Sequence, residues 1–338
     1  MFVVSAFLIS GASSAMLEDT VIGKLAARII PGEFAVLESS LPVGVSQFSE
    51  MVRVKVDEGR YLETDSWTDS AHWDPKRHKT FFLGQRAFKK FISYDAATNA
   101  WSELGWAGEH PPLTRENGHT YGRTALDWKR GHYYRAAGKG KMHRYVIDQA
   151  RWEEITGVPI TGYISMEWHY GIDSLVAVTH GYKVYGYRNG SWTEMGVSAV
   201  HGYHSVAQFN PVRNDMLVAG GNHSLRKVDI IDANGAIQPR RDAPFDIAIK
   251  SHSLTYDPVS GNYLMLRRRE RELYEYQPDL DEWRLAEKWG SSDWPFGRYG
   301  LQVPIPIEEL GVILWQYGPG PMLYRHRSAF DHQRGGGR

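Results

Sequence analysis

Three stretches of this chain repeat one pattern. His119-Thr-Tyr-Gly-Arg-Thr-Ala-Leu-Asp127, His204-Ser-Val-Ala-Gln-Phe-Asn210 and His252-Ser-Leu-Thr-Tyr-Asp257 each run from a histidine through a short strand-like segment to an Asp or Asn turn. A second strand-like run follows each time, at His132 to Ala137, Met216 to Ala219 and Tyr263 to Leu266. A β-hairpin that recurs along a chain is the mark of a repeat architecture, so the repeat fixes the fold class.

Aligning the turn residues gives six units. The first begins at Asp74-Pro-Lys-Arg77 and ends at Trp101; the second runs from His119 to Trp152, and the third from Tyr163 to Trp192. The fourth covers Tyr203 to Arg240, the fifth His252 to Trp283, and the sixth Tyr299 to Tyr324. Turns spaced by ~40 to 50 residues are those of four-stranded propeller blades of the kelch kind. The expectation is an all-β chain forming a β-propeller of six to seven four-stranded blades, seven preferred, with segment 25–49 adding outer strands that close the ring. The recurring Tyr94 to Trp101, Tyr145 to Trp152 and Tyr276 to Trp283 pairs predict tryptophans wedged between blades, where large rings bury most area. No long amphipathic helix pattern is present, which argues against α/β alternatives.

Composition narrows the function classes. With 338 residues, 42% hydrophobic and 23% charged, the chain has ample core for a single large domain. Lys plus Arg equals Asp plus Glu at 39 each, so no global field recruits nucleic acid or an acidic membrane. The absence of cysteine excludes disulfides and thiolate chemistry. No organic cofactor is expected, and any metal must use His, Asp, Glu or carbonyl oxygen. The apolar run at residues 1–15 has the length of an export signal without its basic start, which predicts a secreted or periplasmic protein. No later stretch approaches the ~20 apolar residues of a membrane span. The expected division is a signal peptide or disordered N-terminus at 1–20, one propeller at 21–328 and a disordered tail at 329–338, acting as a monomer.

In a propeller the first strand of each blade lines the central channel, so residues at the starts of these strands converge. One candidate set is Asn117, His119, Tyr121, Arg123 and His143, with Tyr187 and Arg188; Tyr203 and His201 are further substrate-binding candidates. Histidine accepts a proton near neutrality, tyrosine exchanges one, and arginine holds a carboxylate bidentately. That combination suits β-elimination on a uronic acid, in which the neutralised carboxylate acidifies the adjacent C–H. A second set, His204, His223 and His252, supplies three imidazoles for a zinc site in adjacent blades, with His201 or water as fourth ligand. The run Arg267 to Arg271 reads as a solvated hairpin tip.

The motifs Asn117-Gly-His-Thr-Tyr-Gly-Arg123, Tyr203-His-Ser-Val-Ala-Gln-Phe-Asn-Pro211 and Ser251-His-Ser-Leu-Thr-Tyr-Asp-Pro258 together resemble the propeller-fold polysaccharide lyases that act on ulvan. The resemblance covers most of residues 25 to 327. It implies a seven-bladed propeller that cleaves an anionic, sulfated, uronate-containing polysaccharide by β-elimination. It further implies His119 as catalytic histidine, His143 as a second and Tyr187 as the tyrosine, with Arg123 and Arg188 both candidates for neutralising the carboxylate. The family's structural zinc is held by histidines and a cysteine; with no cysteine here, that site is all-histidine or lost. The alternative function is a non-catalytic kelch-like module binding glycan or protein through the same face.

Overall fold

The Asp or Asn that ends each recurring strand caps its own turn. Asp74 Oδ1 accepts hydrogen bonds from the backbone N–H groups of Lys76 and Arg77, both at 3.0 Å. Asn210 accepts from Val212 at 3.1 Å, and Asp257 from Val259 and Ser260 at 3.2 and 2.9 Å. A short side chain that mimics the backbone in this way reverses the chain within a few residues, and the next strand pairs back antiparallel.

A computed structural model describes residues 16–57, 60–63, 71–84, 91–104, 120–138, 140–160, 162, 164–296, 302–316 and 320–330. Its strands in chain order begin with β1 (Phe34–Val36), β2 (Arg53–Asp57) and β3 (Arg60–Glu63). Blade 1 is β4 (Ala71–Asp74), β5 (Lys79–Leu83), β6 (Phe91–Asp95) and β7 (Ala100–Glu103); blade 2 is β8 (Thr124–Asp127), β9 (His132–Gly138), β10 (Lys141–Val146) and β11 (Arg151–Ile155). Blade 3 is β12 (Ile164–His169), β13 (Ser174–Thr179), β14 (Lys183–Arg188) and β15 (Ser191–Val197); blade 4 is β16 (Ser205–Asn210), β17 (Asp215–Gly220), β18 (Val228–Ile231) and β19 (Ile237–Pro239). Blade 5 is β20 (His252–Tyr256), β21 (Tyr263–Arg267), β22 (Glu272–Gln277) and β23 (Glu282–Lys288); blade 6 holds β24 (Val303–Ile307), β25 (Val312–Gln316) and β26 (Met322–Tyr324).

Each blade is a four-stranded antiparallel meander, and the first strands β4, β8, β12, β16, β20 and β24 neighbour one another in a closed ring. The preference for seven blades is thereby corrected to six. The sixth unit supplies only three strands, so β1 completes it, pairing Phe34 with Tyr324 and Val36 with Met322. Segment 25–49 therefore closes the ring, as its sequence predicts, but by donating one strand to an existing blade. The hairpin β2–β3 stands apart as a two-stranded sheet. Upstream of β1, Leu17, Ile22 and Ala26 enter the core shared by blades 6 and 1, with Thr20 capping the helix Val21–Ala26. The signal-like residues 1–15 lie outside the described residues. At the other end Ser328 and Ala329 are tied to Glu275, at 2.8 and 2.6 Å.

Packing between blades is aromatic. Four directly paired positions in the outer hairpins repeat a Tyr–Trp contact: Tyr94 with Trp101, Tyr145 with Trp152, Tyr187 with Trp192 and Tyr276 with Trp283, at ring distances of 5.2, 5.2, 4.9 and 4.8 Å. Trp152 of blade 2 reaches Phe91 of blade 1 at 5.5 Å, the wedge expected from sequence. Removing ~200 Å² of ring from water is worth roughly 5 kcal/mol per residue as an upper bound. Along the lower rim, the arginine three residues after a turn Asp or Asn forks onto the next blade. Arg77 holds Asp148, Arg130 holds Asp173 and Arg213 holds Asp279.

Candidate functional site

The first strands begin at one end of the channel, the upper face, and finish at the other, the lower face. On the upper face Tyr121 of the first set meets His204 of the second, with His201 and His223 nearby. The Tyr121 hydroxyl lies 2.8 Å from His204 Nε2, and His204 Nδ1 lies 2.7 Å from Asn222 Oδ1. With the amide oxygen of Asn222 accepting from Nδ1–H, Nε2 carries the lone pair and Tyr121 donates to it. Burial holds His204 below its ordinary pKa, the Asn222 hydrogen bond working in the opposite direction, so the ring is neutral at pH 7. Tyr203 stacks on His204 at 3.8 Å. Around them His201 packs against His223 at 4.8 Å, Tyr182 at 5.4 Å and His180 at 6.3 Å. Burial first, then the neighbouring His223 and His180, depress the His201 pKa.

Local backbone geometry explains how Tyr121 of blade 2 reaches a loop of blade 4. Gly122, at φ +64°, turns the chain so tightly against the start of blade 3 that a Cβ there would sit 2.7 Å from the Ile164 carbonyl oxygen. His204 itself lies in the left-handed region at φ +66°, a conformation that costs a non-glycine residue of order 1 kcal/mol or more and concentrates at functional sites. Its carbonyl is fixed by Ile249 N–H at 3.0 Å. Gly221 presents Asn222: its φ is +95°, and a Cβ would stand 2.2 Å from the His201 carbonyl oxygen. Gly221→Ala is therefore expected to lower stability by about 1–3 kcal/mol and to displace Asn222. An unchanged denaturation midpoint would show that the loop tolerates the side chain.

Arg123 and His143 occupy the upper edge of blade 2. His143 pairs with Arg135 on β9, which pairs with Thr124 at the start of β8. Burial, then the neighbouring charge of Arg123, pushes the fully buried Arg135 down to about 9. Burial, then Arg135, lowers His143 to about 4, so it too is neutral at pH 7.

The other predicted residues lie elsewhere. Asn117 and His119 fall outside the described residues. Tyr187 is level with Trp168 near the finish of β12, on the lower side of the ring, and is the blade 3 copy of the structural Tyr–Trp pair. Its equivalence is hidden in sequence because blade 3 closes this hairpin with a short Asn189-Gly190 turn, both residues at positive φ. Arg188 is exposed and lies 3.9 Å from Asp173. Neither reaches the upper face with His143 and Arg123. The zinc set does not converge either: among the described residues no group of three or more His, Asp or Glu is placed to hold a metal ion. His204 instead uses both ring nitrogens on Tyr121 and Asn222. His252 is buried over Phe245, 3.1 Å from the Ala248 carbonyl oxygen, with burial lowering its pKa to about 4. The basic run is partly paired: Arg267 bonds Glu272 and lies 4.6 Å over Phe245.

Sequence reasoning passed over His180, Arg135 and Asn222. Asn222 alone carried a signal, in Gly220-Gly-Asn-His223, where paired glycines announce a close backbone approach.

No protein-family model matches the chain, and no curated protein matches it by sequence. Among solved structures it is similar to an auxiliary nutrient binding protein from Bacteroides ovatus ATCC 8483, at 9% identity and TM-score 0.59, over 86% of this chain and 75% of that one. A second auxiliary nutrient binding protein, from Bacteroides thetaiotaomicron VPI-5482, aligns at 11% identity and TM-score 0.56 over the same shares. A chain of a mitotic checkpoint complex aligns at 11% identity and TM-score 0.53, over 89% of this chain and 99% of that one. At these identities the likeness shows the propeller fold alone.

Proposed function

We propose that this propeller is an exported polysaccharide lyase that cleaves an anionic, uronate-containing polymer of the sulfated, ulvan-like class at its upper face. The observation that carries the reading is the hydrogen-bonded Tyr121–His204–Asn222 chain, with Arg123 two residues along the chain from Tyr121. Arg123 neutralises the uronate carboxylate, which makes the adjacent C5–H acidic. The Tyr121–His204 pair, held in one tautomer by Asn222, accepts that proton; the C4–O bond breaks, a C4=C5 double bond forms, and a proton is returned to the departing oxygen. Neutral His143, His201 and His204 are in the protonation state a base needs at pH 7.

The product is an unsaturated uronate that absorbs in the near ultraviolet. Incubation with ulvan and other polyuronates is expected to give a rising absorbance, and a flat trace on every polymer would sink the lyase reading. A second reading is binding without turnover, favoured by the burial of Tyr121, which is 3% exposed. Its expected result is retention on an immobilised polymer with no absorbance change.

A further inference from the structure

The channel changes character at its lower face. A cavity of about 300 Å³ opens there, lined by residues from all six first strands and the turns that follow them. Its walls carry six aromatic rings, of which Trp128 and Tyr170 already face Lys129 at 5.7 and 5.4 Å and Trp168 faces Arg130 at 5.5 Å, leaving Trp73, Phe209 and Tyr256 without such a neighbour among the described residues. Three carboxylates, Glu167, Glu308 and Glu309, stand among them, and the described lining contains no Lys or Arg. His72 contributes no positive charge, because burial lowers its pKa to about 3; its 3.7 Å approach to Glu167 is accordingly a contact of a neutral ring. The carboxylates are held in place: Tyr256 donates to Glu308, and Trp73 Nε1 donates to Glu309 Oε2 at 3.0 Å. Trp168 is 4% exposed and its indole N–H is buried without an acceptor, so a ligand oxygen placed there would remove a desolvation cost.

We infer that this lower-face cavity binds a small hydroxyalkyl ammonium cation, held by aromatic faces and by Glu167 and Glu308. Aromatic rings attract an ammonium group through their quadrupole, most strongly where water is excluded, and the carboxylates supply the countercharge that a neutral sugar would not need. The volume suits a ligand of this size. The site is independent of the proposed lyase chemistry, whose substrate is a polyanion on the opposite face, and an acidic cavity repels such a polymer.

The affinity should also depend on pH. Burial, with a smaller push from Glu309, raises the Glu308 pKa to about 8, while its own backbone N–H pulls the other way. The groups around it are Tyr256 from blade 5, Glu167 and Tyr170 from blade 3, His72 from blade 1 and Glu309 from its own turn. Lys129 and Arg130, over the rings of Tyr170 and Trp168, keep their charge throughout this range, so it is Glu308 that gains its charge as the pH rises through that value and the cation binds more tightly.

The test is calorimetric titration of the full chain with choline and with its uncharged isostere 3,3-dimethylbutan-1-ol. Choline is expected to bind at least about tenfold more tightly than the isostere, a difference of ~1.4 kcal/mol. Glu167→Gln should weaken choline by a similar factor, and Glu308→Gln should flatten the increase in affinity between pH 7 and 9. Equal binding of the two ligands, absence of choline binding, or an unaltered Kd in Glu167→Gln would overturn the inference. Should Glu167→Gln fail to fold, the Glu308→Gln/Glu309→Gln double variant decides in its place.

Discussion

Replacing His204 by alanine is expected to lower kcat/KM on the cleaved polymer by about 10²–10⁴-fold, the usual contribution of a positioned acid–base group. Tyr121→Phe should cost a similar factor, because it removes the proton that His204 Nε2 faces at 2.8 Å. The double variant should lose little more than either single one, since two groups that pass one proton act as a unit. Asn222 does not touch substrate in this scheme. It selects the tautomer of His204, so Asn222→Ala should lower kcat while leaving KM nearly unchanged. Independent, additive losses in the double variant would separate Tyr121 from His204 and leave each with a structural role. Retained activity in both single variants would move the chemistry off this pair.

The second large effect concerns stability and follows from Glu308. Its folded-state pKa of about 8 stands above the ordinary 4.5, so between those values the folded chain binds a proton that the unfolded chain releases. Its contribution to stability is greatest at low pH and is lost as pH rises through 8, by an amount on the order of a few kcal/mol. His72, His143 and His252 act with the opposite sign. Their folded pKa values of about 3, 4 and 4 lie below 6.5, so the unfolded chain binds more protons and stability is lost as the pH falls below 6.5. Together these groups predict a stability maximum near pH 6.5 with a decline on either side. Chemical denaturation at pH 5, 6.5 and 8 should trace it, and Glu308→Gln should turn the alkaline decline into a plateau. If the variant and the natural chain lose stability in parallel above pH 6.5, burial is not what raises this carboxyl.

Much of the fold was legible because its signals are local. An Asp or Asn followed by Pro and a short turn reports on its own backbone, and the six units cut at those turns coincide with the six blades. The Tyr–Trp spacing of an outer hairpin likewise needs no knowledge of distant chain. Blade number was less accessible, because it depends on whether a terminal strand starts a new blade or completes an old one. That choice is made by pairing between Phe34–Val36 and Met322–Tyr324, nearly three hundred residues apart. Tyr187 marks a different limit. The Tyr–Trp rule applied to it, but a shortened turn changed the spacing from which the rule is read.

By itself the sequence determined a propeller of four-stranded blades, the segment that closes it and the residue types available for acid–base work, since each follows from short-range turn chemistry and periodicity. Only the tertiary structure decided which of those residues meet. Ring closure carries Tyr121 across the start of blade 3 to His204, separates Tyr187 and Arg188 from Arg123 and His143, and keeps His252 in the core. It also gathers Glu167 and Glu308 with aromatic rings from blades 1 to 5 at the lower mouth, because every first strand finishes there. Convergence in a propeller is a property of the closed ring, and no single repeat contains it.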